Sequence, residues 1–420
     1  MEMRAFGRLI PMESARRRLL ARLRPIARTE PVPVEAAFDR IAARTIRAPR
    51  PVPTFARATW DGYAVRPGDT RGATARRPVR LRLVGEVFAE QRFGGTVGPG
   101  EAVAIATGGA MPRGAGGVVI FEEVVRGAGT IDVPHPVRPG DRVAPPGDDF
   151  PKGARLVEAG RRLDPAAVGA LAAAGIPTVP CYARPIVAVV PNGNELVPPG
   201  GAVRPGTIYE SNNATLAGVI TAFGGEPRLY APVPDDPAAI ERTLRAALRA
   251  ADLVLATGGS SVGEHDLLPR VLPRLGRLLF HGIAVRPGKP TLAAATDRGL
   301  LLGLPGHPSS CLANSFWLVG PLLRRLARRP GPDWTDVAVP LGAGRLDPSP
   351  TMATVVPLAL RNGRAYTTYH GSSSISSMAG AQGFAVLPPG GRPVRAGARV
   401  MGHWLPPPLG PAVADLGANG

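Results

Sequence analysis

Apolar runs alternate with amphipathic segments between residues 184 and 328 of the chain. Residues 186–190 form an almost continuous β-branched run, as expected of a strand that is covered on both faces. Two further apolar runs predict buried strands at 251–256 and 299–304. Helical spacing is found at 214–223, 238–250, 267–272 and 309–326. Strands that alternate with helices predict an α/β domain built around a parallel sheet.

On both sides of this region the pattern changes to short β-like pieces separated by glycine and proline. The pieces lie at 79–87, 101–107, 117–125 and 130–133, and again at 337–341, 351–360, 365–369, 384–388 and 400–405. Short strands with turn signals at this spacing predict β-rich domains. Two helices are predicted outside the α/β region, at 13–24 and at 164–174, the second with Asp164 as its N-cap.

The composition is that of a globular chain with a basic excess. The 420 residues are 44% hydrophobic, and a length prior of ~150 residues per domain gives about three domains. The formal net charge of +18 favours anionic partners. No recognition motif or aromatic stacking pattern accompanies the arginines, so nucleic-acid binding is not expected.

Cysteine usage and the length of the apolar runs indicate the compartment. The two cysteines, Cys181 and Cys311, support neither a disulfide framework nor a zinc site, which fits a reducing compartment. No run of ~18 apolar residues occurs, and the first eleven residues lack a signal-peptide core. We therefore expect a cytoplasmic protein without a membrane span.

Three polar loops follow the α/β pattern. The run at 251–256 leads into Thr257-Gly258-Gly259-Ser260-Ser261 before a helix, an arrangement that leaves backbone amides available to an anion. The second loop is Arg286-Pro287-Gly288-Lys289-Pro290, and the third is Pro305-Gly306-His307-Pro308-Ser309-Ser310. Because loops at the carboxyl ends of parallel strands converge on one crevice, we expect all three to face one ligand.

Several common site types are excluded by their missing motifs. Gly288-Lys289 is followed by Pro290, so a Walker loop is absent, and no Gly-x-Gly-x-x-Gly follows a strand. The histidines lack metal-ligand spacing, and no Gly-x-Ser-x-Gly elbow is present.

Four acids stand at loop ends, namely Asp61, Glu195, Asp235 and Asp266. Carboxylates at such positions suit Mg²⁺, a hard cation that proteins often share with a substrate phosphate. Cationic side chains and backbone amides would hold the rest of the anion. The residues alone therefore predict a phosphate-ester or oxyanion site. The alternative, a set of ordinary helix caps and solvated charges, remains open on this pattern.

Seven ordered motifs, spread over about residues 5 to 405, are shared with one known family. They are Thr59-Trp60-Asp61-Gly62-Tyr63-Ala64-Val65, Ala106-Thr107-Gly108, Asn194-Glu195-Leu196, residues 258–266, Arg286-Pro287-Gly288-Lys289-Pro290, Gly303-Leu304-Pro305-Gly306-His307-Pro308, and Gly371-Ser372 through Ser376-Ser377. On these motifs the chain resembles the MoeA family of molybdopterin molybdenumtransferases, which includes the E domain of gephyrin.

The resemblance implies a multidomain α/β and β fold. It implies a molybdopterin-binding α/β domain with a central parallel sheet (5–24 plus 182–328), a linking domain (25–53 plus 140–181), a β-rich domain (54–139) and a small C-terminal β-barrel (329–405). Residues 406–420 are expected to be a disordered tail. It further implies a homodimer, with a site to which the partner also contributes.

The resemblance also implies the reaction. Adenylylated molybdopterin is bound, molybdate enters, and the bond to AMP is hydrolysed with Mg²⁺ as the dithiolene receives molybdenum. Asp235 and Asp266 would serve the metal, and Asp61, Thr107 and Glu195 the phosphoanhydride chemistry. Arg286, Lys289 and Ser372 would bind molybdate. Further substrate-binding positions are Gly258, Gly259, Ser261, Pro305 and Pro308.

The chain departs from the family pattern at a few positions. Asn194 replaces an acid, His307 replaces an asparagine, and Gly282 stands where some members carry a basic residue. Residues 351–360 lack an arginine that helps to hold molybdate in the family, for which a neighbour such as Arg361 would have to compensate. A divergent protein that binds pterin or molybdate without turnover, as a carrier, sensor or scaffold, is the alternative. An adenylyltransferase is disfavoured by the β domains.

Overall fold

A computed structural model describes residues 8–263, 266–369, 371 and 374–406. The tail predicted at 406–420 lies outside the described residues except for Pro406. The described chain divides into two compact units. The α/β unit comprises the residues up to Glu30 and those from Tyr182 onward, and the β-rich unit comprises Pro31–Cys181. The chain passes from one unit to the other twice, within the strands Thr29–Pro33 and Thr178–Tyr182.

A six-stranded sheet forms the centre of the α/β unit. In order across the sheet the strands are Glu226–Leu229, Ile186–Pro191, Leu253–Thr257, Gly299–Leu304, Leu292–Thr296 and Arg277–His281. The first four are parallel, which confirms the predicted α/β sheet. Leu292–Thr296 runs antiparallel to both of its neighbours, so the sheet is mixed rather than wholly parallel.

The parallel strands are buried on both faces, as their continuous apolar runs predict. Val187 and Val189 contribute to the core on one face, and Ala188 and Val190 to the core on the other. Helices cover both faces, because their apolar stripes need a partner surface. These helices are Met12–Leu20, Asn212–Ala222, Pro237–Ala250, Leu268–Leu275, and the succession Pro308–Asn314, Ser315–Val319 and Gly320–Leu326.

The helix predicted at 309–326 is found, but it is not a uniform α-helix. Ser315–Val319 forms a π-helical segment between two α-helical ones. The N-terminal helix ends at Leu20, earlier than its apolar spacing predicts. Asp236 caps the helix Pro237–Ala250 by accepting a hydrogen bond from the Ala239 amide at 2.7 Å.

The C-terminal part of the α/β unit is a curled antiparallel sheet. Its strands are, in order, Arg364–Thr367, Ala353–Arg361, Gly383–Leu387, Arg399–Trp404 and Thr335–Pro340. A bridge between Leu341 and Ala365 connects the last strand back to the first, which confirms the predicted small β-barrel. Val285–Arg286 joins this sheet parallel to Ala353–Arg361 and pairs Arg286 with Thr354. A separate pair is formed by Arg345–Leu346 and Val394–Arg395.

The β-rich unit also contains a six-stranded sheet. Its strands are, in order, Gly117–Ile120, Gly62–Val65, Glu101–Ile105, Val79–Val87, Thr130–Val133 and Val125–Gly127. Two strands match their predicted bounds, at 79–87 and 130–133. The run at 117–125 is interrupted by a single 3₁₀ turn, Phe121–Glu123.

Smaller elements complete the β-rich unit. The helix Pro165–Ala173 has the predicted N-cap, because the Asp164 carboxylate accepts from the Ala167 amide at 2.7 Å. Two short pairs join Arg57–Ala58 to Val143–Ala144 and Ile46–Arg47 to Arg155–Val157. Across all the residues that the structure describes, no helix has both the length and the apolarity needed to cross a bilayer.

Candidate functional site

The loops that leave the parallel strands are tied to one another at the carboxyl edge of the central sheet. The Asn192 amide donates to the Thr257 carbonyl at 2.8 Å. The Asn194 amide donates to Asp235 Oδ2 at 3.1 Å, and the Asp235 amide donates to Asn194 Oδ1 at 3.0 Å. Asn194, the departure from the family acid, thus forms a reciprocal pair with a predicted metal ligand.

Glu195 follows the same strand and lies over Gly193. Its carboxylate oxygens would be 2.5 and 2.7 Å from a Cβ at position 193, where φ is +153°. A side chain at 193 would therefore displace the Glu195 carboxylate. Glu195 itself is exposed.

The loop after the central strand needs glycine at its first position. Gly258 has φ +85°, and a Cβ there would collide with the Asn192 carbonyl oxygen. A Cβ on Gly306 would be 3.3 Å from the Gly258 Cα. The loops of Asn192, Gly258 and Pro305 therefore lie in direct contact, as the topology predicts.

Asp266 folds the glycine and serine loop onto itself. Its Oδ1 accepts from the Ser261 amide at 2.8 Å and its Oδ2 from the Gly263 amide at 2.8 Å. Two backbone amides therefore hold the carboxylate in place, while each oxygen keeps a lone pair for a cation. The intervening Glu264 and His265 lie outside the described residues.

The loop of Arg286 to Pro290 is shaped by a buried amide that sequence reasoning missed. Gly288 has φ +110°, and the fully buried Asn314 side chain occupies the space that a Cβ would need. Asn314 Nδ2 donates to the Gly288 carbonyl at 3.2 Å and to Thr291 Oγ1 at 2.6 Å. Trp317 Nε1 in turn donates to Asn314 Oδ1 at 3.0 Å. The buried Asn314 side chain therefore holds the backbone of the loop that carries Arg286 and Lys289.

The polar loop of the barrel contacts the helix that begins at Pro308. Ser309 Oγ donates to the Gly371 carbonyl at 3.2 Å, and Ser377 Oγ donates to the same oxygen at 3.0 Å. The predicted molybdate residue Ser372 lies outside the described residues, but its neighbour Gly371 is thereby placed next to the Pro305 to Ser310 loop.

Asp61 and Thr107 meet in the β-rich unit. Asp61 precedes the strand Gly62–Val65 and Thr107 follows the neighbouring strand, so the sheet register brings them together. The Thr107 amide donates to Asp61 Oδ1 at 2.6 Å. This backbone hydrogen bond, with a second one from the Thr107 side chain, lowers the pKa of the Asp61 carboxyl below its ordinary value.

A cavity of about 570 Å³ adjoins Asp61 in the same unit. Its wall contains the rings of Phe88 and Phe121, and Glu86 and Arg126 supply charge. Phe121 is held edge-on to Tyr63, with ring centroids 4.9 Å apart. This cavity was not predicted, because most of its lining residues lie outside the motifs that contain Asp61 and Ala106.

Three further buried amides surround the edge of the central sheet. Asn212 Nδ2 donates to the Gly306 carbonyl at 2.9 Å, and Asn213 Nδ2 to the Tyr230 carbonyl at 2.9 Å. The Oδ1 atoms of Asn192, Asn212 and Asn213 find no hydrogen-bond donor in the described part of the chain. Glu210 is 3% exposed, and its burial raises the pKa of its carboxyl. Hydrogen bonds from the backbone amides of Asn213 and Asn212 oppose this rise.

No group of three or more histidine, cysteine, aspartate or glutamate side chains within the described ranges is arranged to hold a metal ion. Mg²⁺, however, keeps several waters and is commonly bound by one or two carboxylates plus substrate phosphates. Asp235 and Asp266 are each held by backbone amides in loops at the carboxyl edge of the sheet, so each presents a single carboxylate of the kind that such a site uses.

Three family models match successive parts of the chain. Residues 10–175 match the MoeA N-terminal region (domain I and II), residues 188–325 a probable molybdopterin binding domain, and residues 343–401 the MoeA C-terminal region (domain IV). Fold and site together thus define a multidomain protein that is organised around an α/β domain of the molybdopterin-binding type.

Whole-chain relatives narrow the class. The molybdopterin molybdenumtransferase of Bacillus subtilis (strain 168) is 31% identical over 403 residues, which cover 93% of each chain. That of Haemophilus influenzae is 34% identical over 319 residues, 76% of this chain and 78% of the relative. A molybdopterin biosynthesis MoeA protein from Pyrococcus horikoshii superposes with TM-score 0.80 at 35% identity, over 94% of this chain and 99% of that one. The chain belongs to the MoeA family.

Proposed function

We propose that this protein is a molybdopterin molybdenumtransferase of molybdenum cofactor biosynthesis. In the proposed reaction, molybdate is inserted into adenylylated molybdopterin in a Mg²⁺-dependent step that releases AMP. The observation that carries the proposal is the set of loops at the carboxyl edge of the sheet. There, Asp235 and Asp266 are held by backbone amides beside the glycine loop and the Pro305 loop. A relative that carries this activity in its name matches 93% of the chain.

Asp235 and Asp266 would hold Mg²⁺, which supplies charge compensation for a phosphoanhydride as its leaving group develops. The backbone amides of Gly258 and Gly259 would bind phosphate oxygens, since they follow a buried strand. The Ser261 amide already donates to Asp266, so Ser261 would contribute its hydroxyl. Pro305 and Pro308 would contact the substrate from the loop that follows the strand Gly299–Leu304. These assignments propose that the loops bind Mg²⁺ together with a negatively charged phosphoanhydride.

The remaining roles follow the chemistry of each group. Glu195, exposed at its loop, and the deprotonated Asp61 next to Thr107 would act on the phosphoanhydride, where a carboxylate can orient or deprotonate a water. Arg286, Lys289 and Ser372 would bind molybdate, because an oxyanion is stabilised by fixed donors. We further propose a cytoplasmic homodimer in which two copies of the chain contribute to each site.

A second candidate is a non-catalytic protein that binds pterin or molybdate. One observation favours it: residues 351–360 lack an arginine, so a donor expected for molybdate is missing from that strand. This candidate predicts tight ligand binding without turnover.

The test is an AMP-release assay with purified protein and adenylylated molybdopterin. We expect AMP release that requires Mg²⁺, is abolished by chelation and is stimulated by molybdate. Retention of the adenylylated substrate without any release of AMP would support the non-catalytic candidate instead. Production of pyrophosphate from ATP and molybdopterin would indicate an adenylyltransferase.

A further inference from the structure

A small pocket of about 170 Å³ lies in the α/β unit, where the strand Val285–Arg286 pairs with the barrel. Arg286 contributes to its wall and stands beside Thr354 in the parallel register. A second arginine, Arg345, enters the same wall from the short strand Arg345–Leu346. Thr367 and Tyr369 add polar groups. Two arginines from distant parts of the sequence therefore line one concavity.

The charges in this pocket are incompletely compensated. Arg345 Nε donates to Asp347 Oδ1 at 2.7 Å, while its two terminal nitrogens have no acceptor among the described residues. The side chain of Arg286 makes no hydrogen bond or ion pair with any residue that the structure describes. Asp347 is the one acid that the described residues contribute to the wall, so the two arginines give this part of the pocket a net positive charge. Such a concavity attracts an anion that can bridge both guanidiniums.

The volume of the pocket can be compared with the space that a small oxyanion needs. Each oxygen of a tetrahedral oxyanion takes about the space of a water, roughly 30 Å³, so four need on the order of 120 Å³. A pocket of about 170 Å³ therefore has room for one such anion. The guanidinium fork matches two oxygens at once, which suits an oxyanion better than a halide.

We propose that Arg345 is a substrate-binding residue for the tetrahedral oxyanion, and that it supplies from a separate strand the arginine that residues 351–360 lack. The identity of the anion as molybdate rests on the proposed function. Asp347 holds the Nε side of Arg345 and leaves the terminal nitrogens to face the anion.

The arginine suggested by the sequence, Arg361, does not serve this pocket. It lies at the far end of the strand Ala353–Arg361, opposite Arg364, with its guanidinium 6.0 Å from the centroid of the Tyr366 ring. At a rise of ~3.3 Å per residue, the seven steps from Thr354 to Arg361 span roughly 23 Å along the strand. Arg361 is therefore a matched control for Arg345, with the same side chain in the same C-terminal part of the chain.

The experiment is equilibrium dialysis of the full-length protein against molybdate at low ionic strength, with bound molybdenum measured by elemental analysis. Wild type, Arg345→Ala, Arg345→Lys and Arg361→Ala are compared, and thermal unfolding confirms that each variant is folded. We expect Arg345→Ala to weaken molybdate binding about tenfold or more, because a charge-assisted contact is lost. Arg345→Lys should retain part of the affinity, and Arg361→Ala should bind as wild type does.

Equal binding by wild type and Arg345→Ala would overturn the inference, and so would loss of binding in Arg361→Ala alone or a wild type that binds no molybdate. None of these outcomes decides the transferase reaction, which AMP release measures separately. Conversely, Arg345-dependent binding in a protein that never releases AMP would retain this site and remove the proposed turnover.

Discussion

The two units of the chain hold their candidate carboxylates in different surroundings. At the carboxyl edge of the α/β sheet, Asp235 accepts from a backbone amide of the neighbouring Asn194 loop, and Asp266 accepts from two backbone amides of its own loop. In the β-rich unit, Asp61 is exposed, accepts from Thr107, and borders a cavity with aromatic walls. The first environment suits phosphates and a hard cation, and the second suits a flat organic group beside one carboxylate.

The same structural feature, a carboxylate that accepts from a backbone amide near a strand end, occurs in both of these environments. In both units a carboxylate next to a strand end meets a backbone amide from the adjacent strand or loop, which orders the carboxylate before any ligand arrives. Pre-ordering of this kind reduces the reorganisation that a reaction requires. The predictions below separate what the two environments contribute.

The largest effect is expected for Asp266→Asn. The variant keeps one acceptor for the loop amides but loses the negative charge offered to Mg²⁺, so AMP release should fall about a hundredfold or more. Asp297→Asn, an exposed acid in a turn of the same sheet, is the matched control and should retain activity. Wild-type turnover in Asp266→Asn would remove this acid from the metal site.

The next effect concerns the β-rich unit. Asp61→Asn should lower AMP release roughly 10- to 100-fold, since a general base or water-orienting group is lost. Its thermal stability should change little, because Asp61 is exposed.

A mixture of Asp61→Asn and Asp266→Asn chains tests whether two copies share each site. If they do, subunit exchange regenerates one intact site per mixed dimer, and activity should recover to about a quarter of that of wild type. Two variants that stay inactive after demonstrated exchange would show that each copy works with its own Asp61.

An intermediate effect on stability is expected for Gly288→Ala. The φ of +110° and the position of the Asn314 amide leave no room for a methyl group. Strain and collision should lower the free energy of unfolding by about 2–4 kcal/mol. Gly344→Ala has a comparable φ of +77° but open space around its Cβ, so chemical denaturation should show a smaller loss. Similar losses in both variants would mean that Asn314 does not restrict the loop.

The smallest effect separates the two units by the sign of their pH dependence. Burial raises the pKa of Glu210, so the native state retains a proton that the unfolded chain releases, and stability falls as pH rises from the ordinary value of 4.5 through the raised one. Asp61 has the opposite sign: its contribution persists above the ordinary value of 3.8 and is lost as pH falls through the lowered pKa.

Glu210→Gln should therefore abolish the decline of the melting temperature with rising pH, with a gain relative to wild type of about 2–4 °C. The measurement is a series of thermal unfolding curves from pH 4 to pH 8. Parallel pH profiles for the variant and wild type would show that Glu210 does not titrate in this range.

The sequence predicted the elements whose local pattern and tertiary surroundings agree. The strand Gly299–Leu304 and the Asp164 cap have the predicted positions. A continuous apolar run and a capping aspartate are signals that can be recognised in the local sequence. Leu292–Thr296 was missed because its alanines have low strand propensity and its pairing depends on a hairpin with Gly299–Leu304.

The candidate site was predictable to the level of its loops. The contact between the Asn192, Gly258 and Pro305 loops follows from parallel topology, which the alternating pattern indicates. The roles of Asn314 and Arg345 were not predictable, since an isolated asparagine in a helix and an isolated arginine before a turn carry no local signal. Their partners, Gly288 and Arg286, are distant in sequence and are brought close only by the fold.

The central claim is that AMP release and metal insertion are one coupled reaction, and their stoichiometry tests it most directly. Purified protein is incubated with adenylylated molybdopterin, Mg²⁺ and molybdate, and both AMP and pterin-bound molybdenum are quantified over time. The account predicts about one molybdenum inserted per AMP released, with neither product in Asp266→Asn. Release of AMP without pterin-bound molybdenum, or molybdenum insertion without AMP, would contradict it.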